Sequence, residues 1–395
     1  MRAVARHDER MRVLRIAHAS LTPRLRERER ALVRCFPDVE LELVTTTRWQ
    51  EAAVEVEAVE DDLFPVRTAR PLFSRHIQLF AYDPRPVIAA LRRHRPEIIE
   101  LAHEPYSIAC AEVLTLRNWL APHVPVVLQT CQNIIHNYPP PFRWFERRAF
   151  RQAAAAHICS ETVRDCLTAK GFDKLVRVVP FGVNVDEYTP RPLKRGAKET
   201  LTIGFVGRML PGKGLNILAE ALPQIAHENW RLLVVGDGPE RESFTRRLSE
   251  AKLINRAQFT GAVKYDEMPE YFRQIDVLVI PTETTARIRE QFGRVIVEAM
   301  ATAVPVIGST CGAIPEVIGD AGLAVPEGDA DALAGAMLGL LLNKNLRADF
   351  GQAGRRRAEL HYSWERVASQ MYDLFRDVLR PSVATDLRRR VEATA

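Results

Sequence analysis

Four charged side chains carry the chemistry this sequence offers. Glu290 and Glu298 lie in "EQFGRVIVEAM" (290–300), and Arg208 and Lys213 in "GFVGRMLPGKG" (204–214). Carboxylates accept hydrogen bonds from sugar hydroxyls and repel phosphate. Arg and Lys bind phosphate through charge-assisted hydrogen bonds, about 1.5–3 kcal/mol each. Together the two pairs suit a ligand that is part sugar and part diphosphate. Taken singly, each segment has a plainer reading. Gly-rich strand-to-helix turns with surface cations are ordinary in α/β proteins, and so are two glutamates on a helix. The spacing in 204–214 also departs from the phosphate-loop pattern G-x-x-x-x-G-K-[ST].

Those residues need elements to position them. "DVLVIP" (276–281) reads as a buried strand and "TETTARIRE" as the loop at its carboxyl end, with a helix beginning at about Gly293 or Arg294. Glu290 then falls in the loop and Glu298 in the first helical turns. Between them the N–H groups near Phe292, Gly293 and Arg294 lie uncapped, and a helix start favours anions. "LTIGFVG" is the strand before Arg208, with Gly204 and Gly207 permitting a tight turn. "VVGDGPERE" (234–242) reads chiefly as a structural turn, with Pro239 suited to a first helical turn. Glu316 in "GSTCGAIPEVI" either faces a ligand or simply stands at a helix start; the residues leave both open.

The rest of the chain repeats this grammar. Short β-like runs ("RVLRIAHA", "ELELVTT", "EIIELA", "VPVVLQT", "AAHICS", "VRVVPFG") alternate with amphipathic helical stretches, the pattern of parallel α/β sheets. A polar stretch with two prolines and a basic cluster (184–200) reads as a linker, after which the alternation restarts. The expectation is two doubly wound domains, 1–190 and 200–365, followed by a terminal helix and tail over 366–395, with residues 1–10 an extension ahead of the first strand. In such sheets ligands bind beyond the carboxyl ends of the strands, so a cleft between the domains is the expected site.

Composition narrows the class. A chain of 395 residues that is 47% apolar and 27% charged is globular rather than disordered. A net charge of +5 over this length gives little support to a nucleic-acid binder. The six cysteines form no C-x-x-C pair, as expected of reduced thiols. The longest apolar run, "ALAGAMLGLLL" (332–342), is too short to span a bilayer. A cytoplasmic protein is expected, at most peripheral to the inner face of a membrane.

"EQFGRVIVEAM" resembles the E-x7-E motif of the family 4 retaining glycosyltransferases, whose fold is GT-B: two Rossmann-like domains facing across a cleft, with a C-terminal helix crossing back to the first. "GFVGRMLPGKG", "VVGDGPERE", "FTGAVKYDEMPEYF", "PVIGSTCGAIPEVI" and "GLAVPEGDADALA" follow in that family's order. The resemblance implies that Arg208 and Lys213 bind the diphosphate of a UDP- or GDP-sugar, beside the turn at Gly207. Glu298 would hold the ribose and Glu290 would contact the transferred sugar. Backbone at Phe292, Gly293 and Arg294 would complete the site, and backbone near Val263 would meet the nucleobase. No cofactor is implied, and the one D-x-D of the chain, Asp329-Ala330-Asp331, reads as a helix start capped by Asp329 rather than as a metal motif. The implied reaction is hexose transfer with retention to an acceptor hydroxyl, in glycolipid, surface polysaccharide or small-molecule glycoside synthesis. Rival readings are a non-catalytic nucleotide-sugar binding module and a nucleotide-sugar epimerase or phosphorylase of the same fold.

The N-terminal half departs from the family pattern. "HASLTPRLRERER" (18–30) stands where many members carry a glycine pair, and Cys131 or Gln132 where many carry a histidine. A subgroup with Q-N here and an E-P-Y segment like "HEPYS" is similar, leaving Gln132, His136 and Glu104 as candidates to position the acceptor. Two further stretches bear on that acceptor. Arg24, Arg26, Arg28 and Arg30 would favour an anionic one, although the interleaved Glu27 and Glu29 suit a solvated helix face better. "PPPFRWFERRAFRQ" mixes aromatics with arginines as a membrane-facing helix for a lipid-linked acceptor would, but equally suits a helix with aromatics in the core and arginines outside, the preferred reading.

Overall fold

The computed structural model describes residues 10–51, 54–73, 76–191 and 200–379. By internal contacts the chain forms two units. Among the described residues, one comprises those within 10–159, 163–179 and 364–379; the other comprises those within 160–162, 180–191 and 200–363.

The first unit is built on a seven-stranded sheet. Its strands in chain order are β1 (Met11–Ile16), β2 (Val39–Thr46), β3 (Val66–Ala69), β4 (Ile98–Leu101), β5 (Val126–Thr130), β6 (Ala155–Ile158) and β7 (Leu175–Val178). In space they run β7-β6-β5-β4-β1-β2-β3, all parallel. The second unit's six-stranded sheet uses β8 (Leu201–Val206), β9 (Trp230–Val235), β10 (Ala257–Gly261), β11 (Val277–Ile280), β12 (Val306–Ser309) and β13 (Gly322–Val325), in the order β10-β9-β8-β11-β12-β13. Strands such as "VLVI" are buried at every position, as parallel strands covered on both faces must be. Each sheet reverses its winding at one place: between β1 and β4 in the first unit, and between β8 and β11 in the second. Each of those reversals opens a crevice at the carboxyl ends of the strands.

Four helices bear on the site: α1 (Glu27–Cys35), α2 (Leu215–Ala221), α3 (Arg294–Ala301) and α4 (Trp364–Leu379). α4 buries Val367, Ala368, Met371, Leu374 and Phe375 along one stripe and packs in the first unit, where Tyr372 stacks on Phe36 at 3.9 Å and donates to Asp38 at 2.6 Å. The terminal helix thus returns to the first domain, as the resemblance implies. Residues 180–190 differ from expectation. They belong to the second unit, where the Val183 N–H donates to Tyr362 O at 2.8 Å. Residues 192–199 of the linker lie outside the described residues. The strand β3, "VRTA", was not among the β-like runs; half of it is polar and it closes the sheet edge.

The arginine-rich segment is neither a phosphate cluster nor a solvated face. Arg26 is fully buried and donates to the carbonyls of Ser20, Leu21 and Val59, with Asp61 beside it. Arg28 bonds Glu29 and Glu100, and Arg30 bonds Asp61 and Asp62. Carboxylates and carbonyls have consumed the charge that a phosphate would need. The aromatic–arginine helix (142–152) also differs in part: Phe150 is buried, but Trp144 is 53% exposed.

Glu100, on the central strand β4, anchors this polar core. It accepts from Arg15, from Arg28 at 2.6 Å and from His157 at 2.8 Å. Burial alone would raise its pKa; Arg15 and Arg28 override that and hold it well below the ordinary 4.5. A depressed carboxylate stabilises the fold above its unfolded-state pKa and loses that contribution as pH falls through the folded value. Acid unfolding, followed by circular dichroism, should therefore deepen as pH drops below about 4.5, the ordinary value. Glu100→Gln should cost about 3–5 kcal/mol in urea unfolding at neutral pH, because it leaves the two buried guanidinium groups of Arg15 and Arg28 with only the Glu29 carboxylate to share.

Candidate active site

The reversal point of the second sheet gathers Arg208, Lys213, Glu290 and Glu298. β8 ends at Val206, and Gly207 turns the chain with φ +148. Arg208 comes next, exposed and without a side-chain hydrogen bond among the described residues. The turn closes on Gly214, whose φ is +73 and where an added Cβ would stand 1.7 Å from Pro281 O, just past β11. Only glycine permits that approach, and it brings the start of α2 against the loop that carries Glu290. Lys213 Nζ consequently meets Glu290 Oε2 at 2.6 Å, with side chains 26% and 15% exposed.

Glu290 is held by its own backbone. Its carbonyl accepts from the Ala313 N–H at 3.0 Å, and its N–H points to Cys311 Sγ at 3.5 Å. A Cβ at Gly312 would lie 2.1 Å from Glu290 O. Gly312→Ala should therefore push Glu290 off position and lower turnover about a hundredfold. The overlap is with backbone and the φ is +56, so the same variant should also lower the melting temperature.

Past Glu290, Phe292 is buried against Phe181 and Tyr362 at ring distances of 5.5 and 5.7 Å. Gly293 then takes φ +80 and α3 begins at Arg294 with no side-chain cap. The Ile296 N–H turns back to Gly293 O at 2.8 Å, while those of Arg294 and Val295 make no hydrogen bond among the described residues and face an anion's place at the helix start. Glu298, one turn on, is 4% exposed and accepts from Tyr265 OH at 3.2 Å; Arg294 donates to the same hydroxyl at 2.7 Å. Tyr265 was not singled out from sequence, although its segment "FTGAVKYDEM" was. Val263, two residues earlier, is half-buried in the loop after β10. Glu316 accepts the Glu161 N–H at 2.9 Å.

In the first unit, Glu104 accepts from Thr130 Oγ1 at 2.5 Å and from the Cys131 N–H at 3.3 Å, and burial raises its pKa. The Gln132 amide donates to Tyr138 OH, and Tyr138 stacks on Tyr106 at 4.0 Å. His136 is exposed. Glu104 and Gln132 share one network beyond β4 and β5, and His136 stands 6.1 Å from Tyr138, ring to ring.

Comparison with known proteins fits this arrangement. Residues 27–187 match the model "Glycosyltransferase Family 4" and residues 200–343 the model "Glycosyl transferases group 1". The chain belongs to the family 4 glycosyltransferases. Among its relatives is a GDP-mannose-dependent monoacylated alpha-(1-6)-phosphatidylinositol monomannoside mannosyltransferase of Corynebacterium glutamicum, 31% identical over 232 residues, 55% of this chain and 60% of that one. Another is the phosphatidyl-myo-inositol mannosyltransferase of Mycobacterium leprae, 35% identical over 206 residues, 51% and 53% of the two chains. These matches span little more than half of each curated relative. The solved structure of Anabaena HepE in complex with UDP superposes with a TM-score of 0.71 at 18% identity, covering 92% of this chain and 99% of that one. The fold of this family 4 member is thus GT-B. No described helix is long and apolar enough to cross a membrane.

Proposed function

We propose that this chain is a retaining hexosyltransferase that takes its sugar from a nucleotide diphosphate donor, a GDP- or UDP-sugar, and delivers it to an acceptor hydroxyl. The observation that carries the reading is the pairing of Lys213 with Glu290 beside Arg208 and the open start of α3. Cations and helix N–H groups suit a diphosphate, and carboxylates suit hydroxyls. The reaction breaks the bond from the anomeric carbon to the β-phosphate oxygen and forms one to the acceptor oxygen on the same face. The acceptor proton passes to the departing phosphate. Negative charge grows on that phosphate, so Arg208, Lys213 and the first-turn N–H groups would stabilise the transition state electrostatically, without a metal ion. Glu290 would orient the transferred sugar, and Glu298 with Tyr265 would hold the ribose hydroxyls.

The family relatives named for phosphatidylinositol acceptors, one of them GDP-mannose-dependent, make a mannosyl donor and an inositol-type acceptor the first pair to assay. Proton NMR of the product from an α-linked donor tests the stereochemistry. An α-glycoside supports retention, whereas a β-glycoside contradicts it.

A further inference from the structure

The reversal point of the first sheet, between β1 and β4, carries a feature that the donor-side reading does not use. His18 lies two residues past β1 and His103 two residues past β4. Their rings face each other at 5.2 Å. His103 is 3% exposed, and its Nε2 is fixed by Tyr82 OH at 2.8 Å. The hydroxyl of Thr46 donates to the His18 carbonyl at 2.8 Å, and the Ala102 N–H donates to Ile16 O at 2.9 Å, so both backbones are pinned. Trp49 and Phe80 wall the pair, at ring distances of 4.8 and 5.7 Å from His18. Despite this, Nδ1 of each imidazole is buried with no protein partner.

Two unpaired ring nitrogens at the carboxyl-end crevice of a doubly wound sheet are unusual, because buried polar groups are nearly always satisfied. An aromatic wall beside them suits the apolar face of a sugar or cyclitol. Charge decides the ligand class further. Burial keeps both rings neutral, His18 down to about pH 4 and His103 well below its ordinary value. The nearby arginines Arg15 and Arg28 are already engaged by Glu29 and Glu100. The crevice therefore offers hydrogen-bonding nitrogens and an apolar wall with little spare positive charge for a phosphate.

We propose that His18 and His103 position the acceptor, taking hydroxyls of an uncharged polyhydroxy ring (a cyclitol or pyranose) at their Nδ1 atoms. The proposal rests on the glycosyltransferase reading and adds to it the ring-binding residues of the acceptor side. Its test uses the full chain labelled with 15N-histidine, saturated with the stabilising nucleotide and titrated with myo-inositol and with methyl α-mannopyranoside. The imidazole Nδ1 resonances of His18 and His103 should move on addition of one of these polyols. His18→Phe and His103→Phe should each raise the KM for that polyol about tenfold, as loss of a substrate hydrogen bond does.

Polyol transfer with both resonances unmoved and KM unchanged would overturn the proposal and return the pair to core packing. A nucleotide response with no polyol response at all would also overturn it, while leaving the donor-site reading intact. Absence of any nucleotide response would instead sink the glycosyltransferase reading on which the pair depends. The NMR arm needs no variant, so it decides the matter even if a phenylalanine is not tolerated in the cluster.

Discussion

Replacing Arg208 by alanine should lower kcat/KM for the nucleotide-sugar donor about 10²–10³-fold while leaving the ligand-free melting temperature nearly unchanged. The two halves of that result have separate causes. Arg208 is exposed and makes no side-chain hydrogen bond among the described residues, so folding loses little on truncation; substitutions of that kind usually stay within about 0.5 kcal/mol. In the proposed reaction, by contrast, the transition state would gather charge on the leaving diphosphate, and removing one preorganised donor from such a site costs rates of this order. Arg208→Lys should recover only part of the loss, because an ammonium lacks the planar fork that grips two phosphate oxygens. Steady-state kinetics and a melting curve on the same preparation check both halves.

The second large effect concerns the Lys213–Glu290 pair. Glu290→Gln keeps the shape of the side chain and removes its charge, and should reduce kcat about a hundredfold with a smaller change in donor KM. Lys213→Met should raise donor KM as well, because that ammonium would meet the diphosphate before and during reaction. The two groups touch at 2.6 Å, so their effects should not add. The double variant should lose clearly less than the product of the single losses. Each group holds the other in place in the ligand-free protein, and each would exchange that partner for the donor. If the double loss equalled the product, the pair would be acting as two independent contacts and the shared-site account would fail.

Several of these contacts could be anticipated from sequence and several could not. Apolar runs such as 277–280 gave the strands, and the glycines at 207 and 293 marked the turns; backbone rules made those features readable. The approach of Lys213 to Glu290 spans 77 positions, yet it follows from topology, since β8 and β11 flank the point where the winding reverses. Side-chain burial was harder. Arg26 sits in an alternation of Arg and Glu that looks like a solvated face, but three backbone carbonyls from residues 20, 21 and 59 enclose it. Trp144 looks like a core residue by type and lies exposed because the helix carrying it turns Ala149 and Phe150 inward instead. Tyr265 reaches Glu298 across 33 positions, and no local pattern announces a hydroxyl at that distance. The pairing of His18 with His103 was invisible for the same reason: two lone histidines became neighbours only once β1 and β4 were known to be adjacent.

The central claim is that the reversal point of the second sheet binds a nucleoside diphosphate through Arg208, Lys213 and the start of α3. A thermal-shift panel with UDP, GDP and ADP, with and without EDTA, tests it most directly. The account predicts that one nucleotide raises the melting temperature, by about 2.7 kcal/mol of stabilisation at a hundredfold excess over its Kd. That rise should be indifferent to EDTA and vanish in the Arg208→Ala variant. Three unmoved melting curves at millimolar nucleotide, or a shift that Arg208→Ala leaves intact, would contradict it.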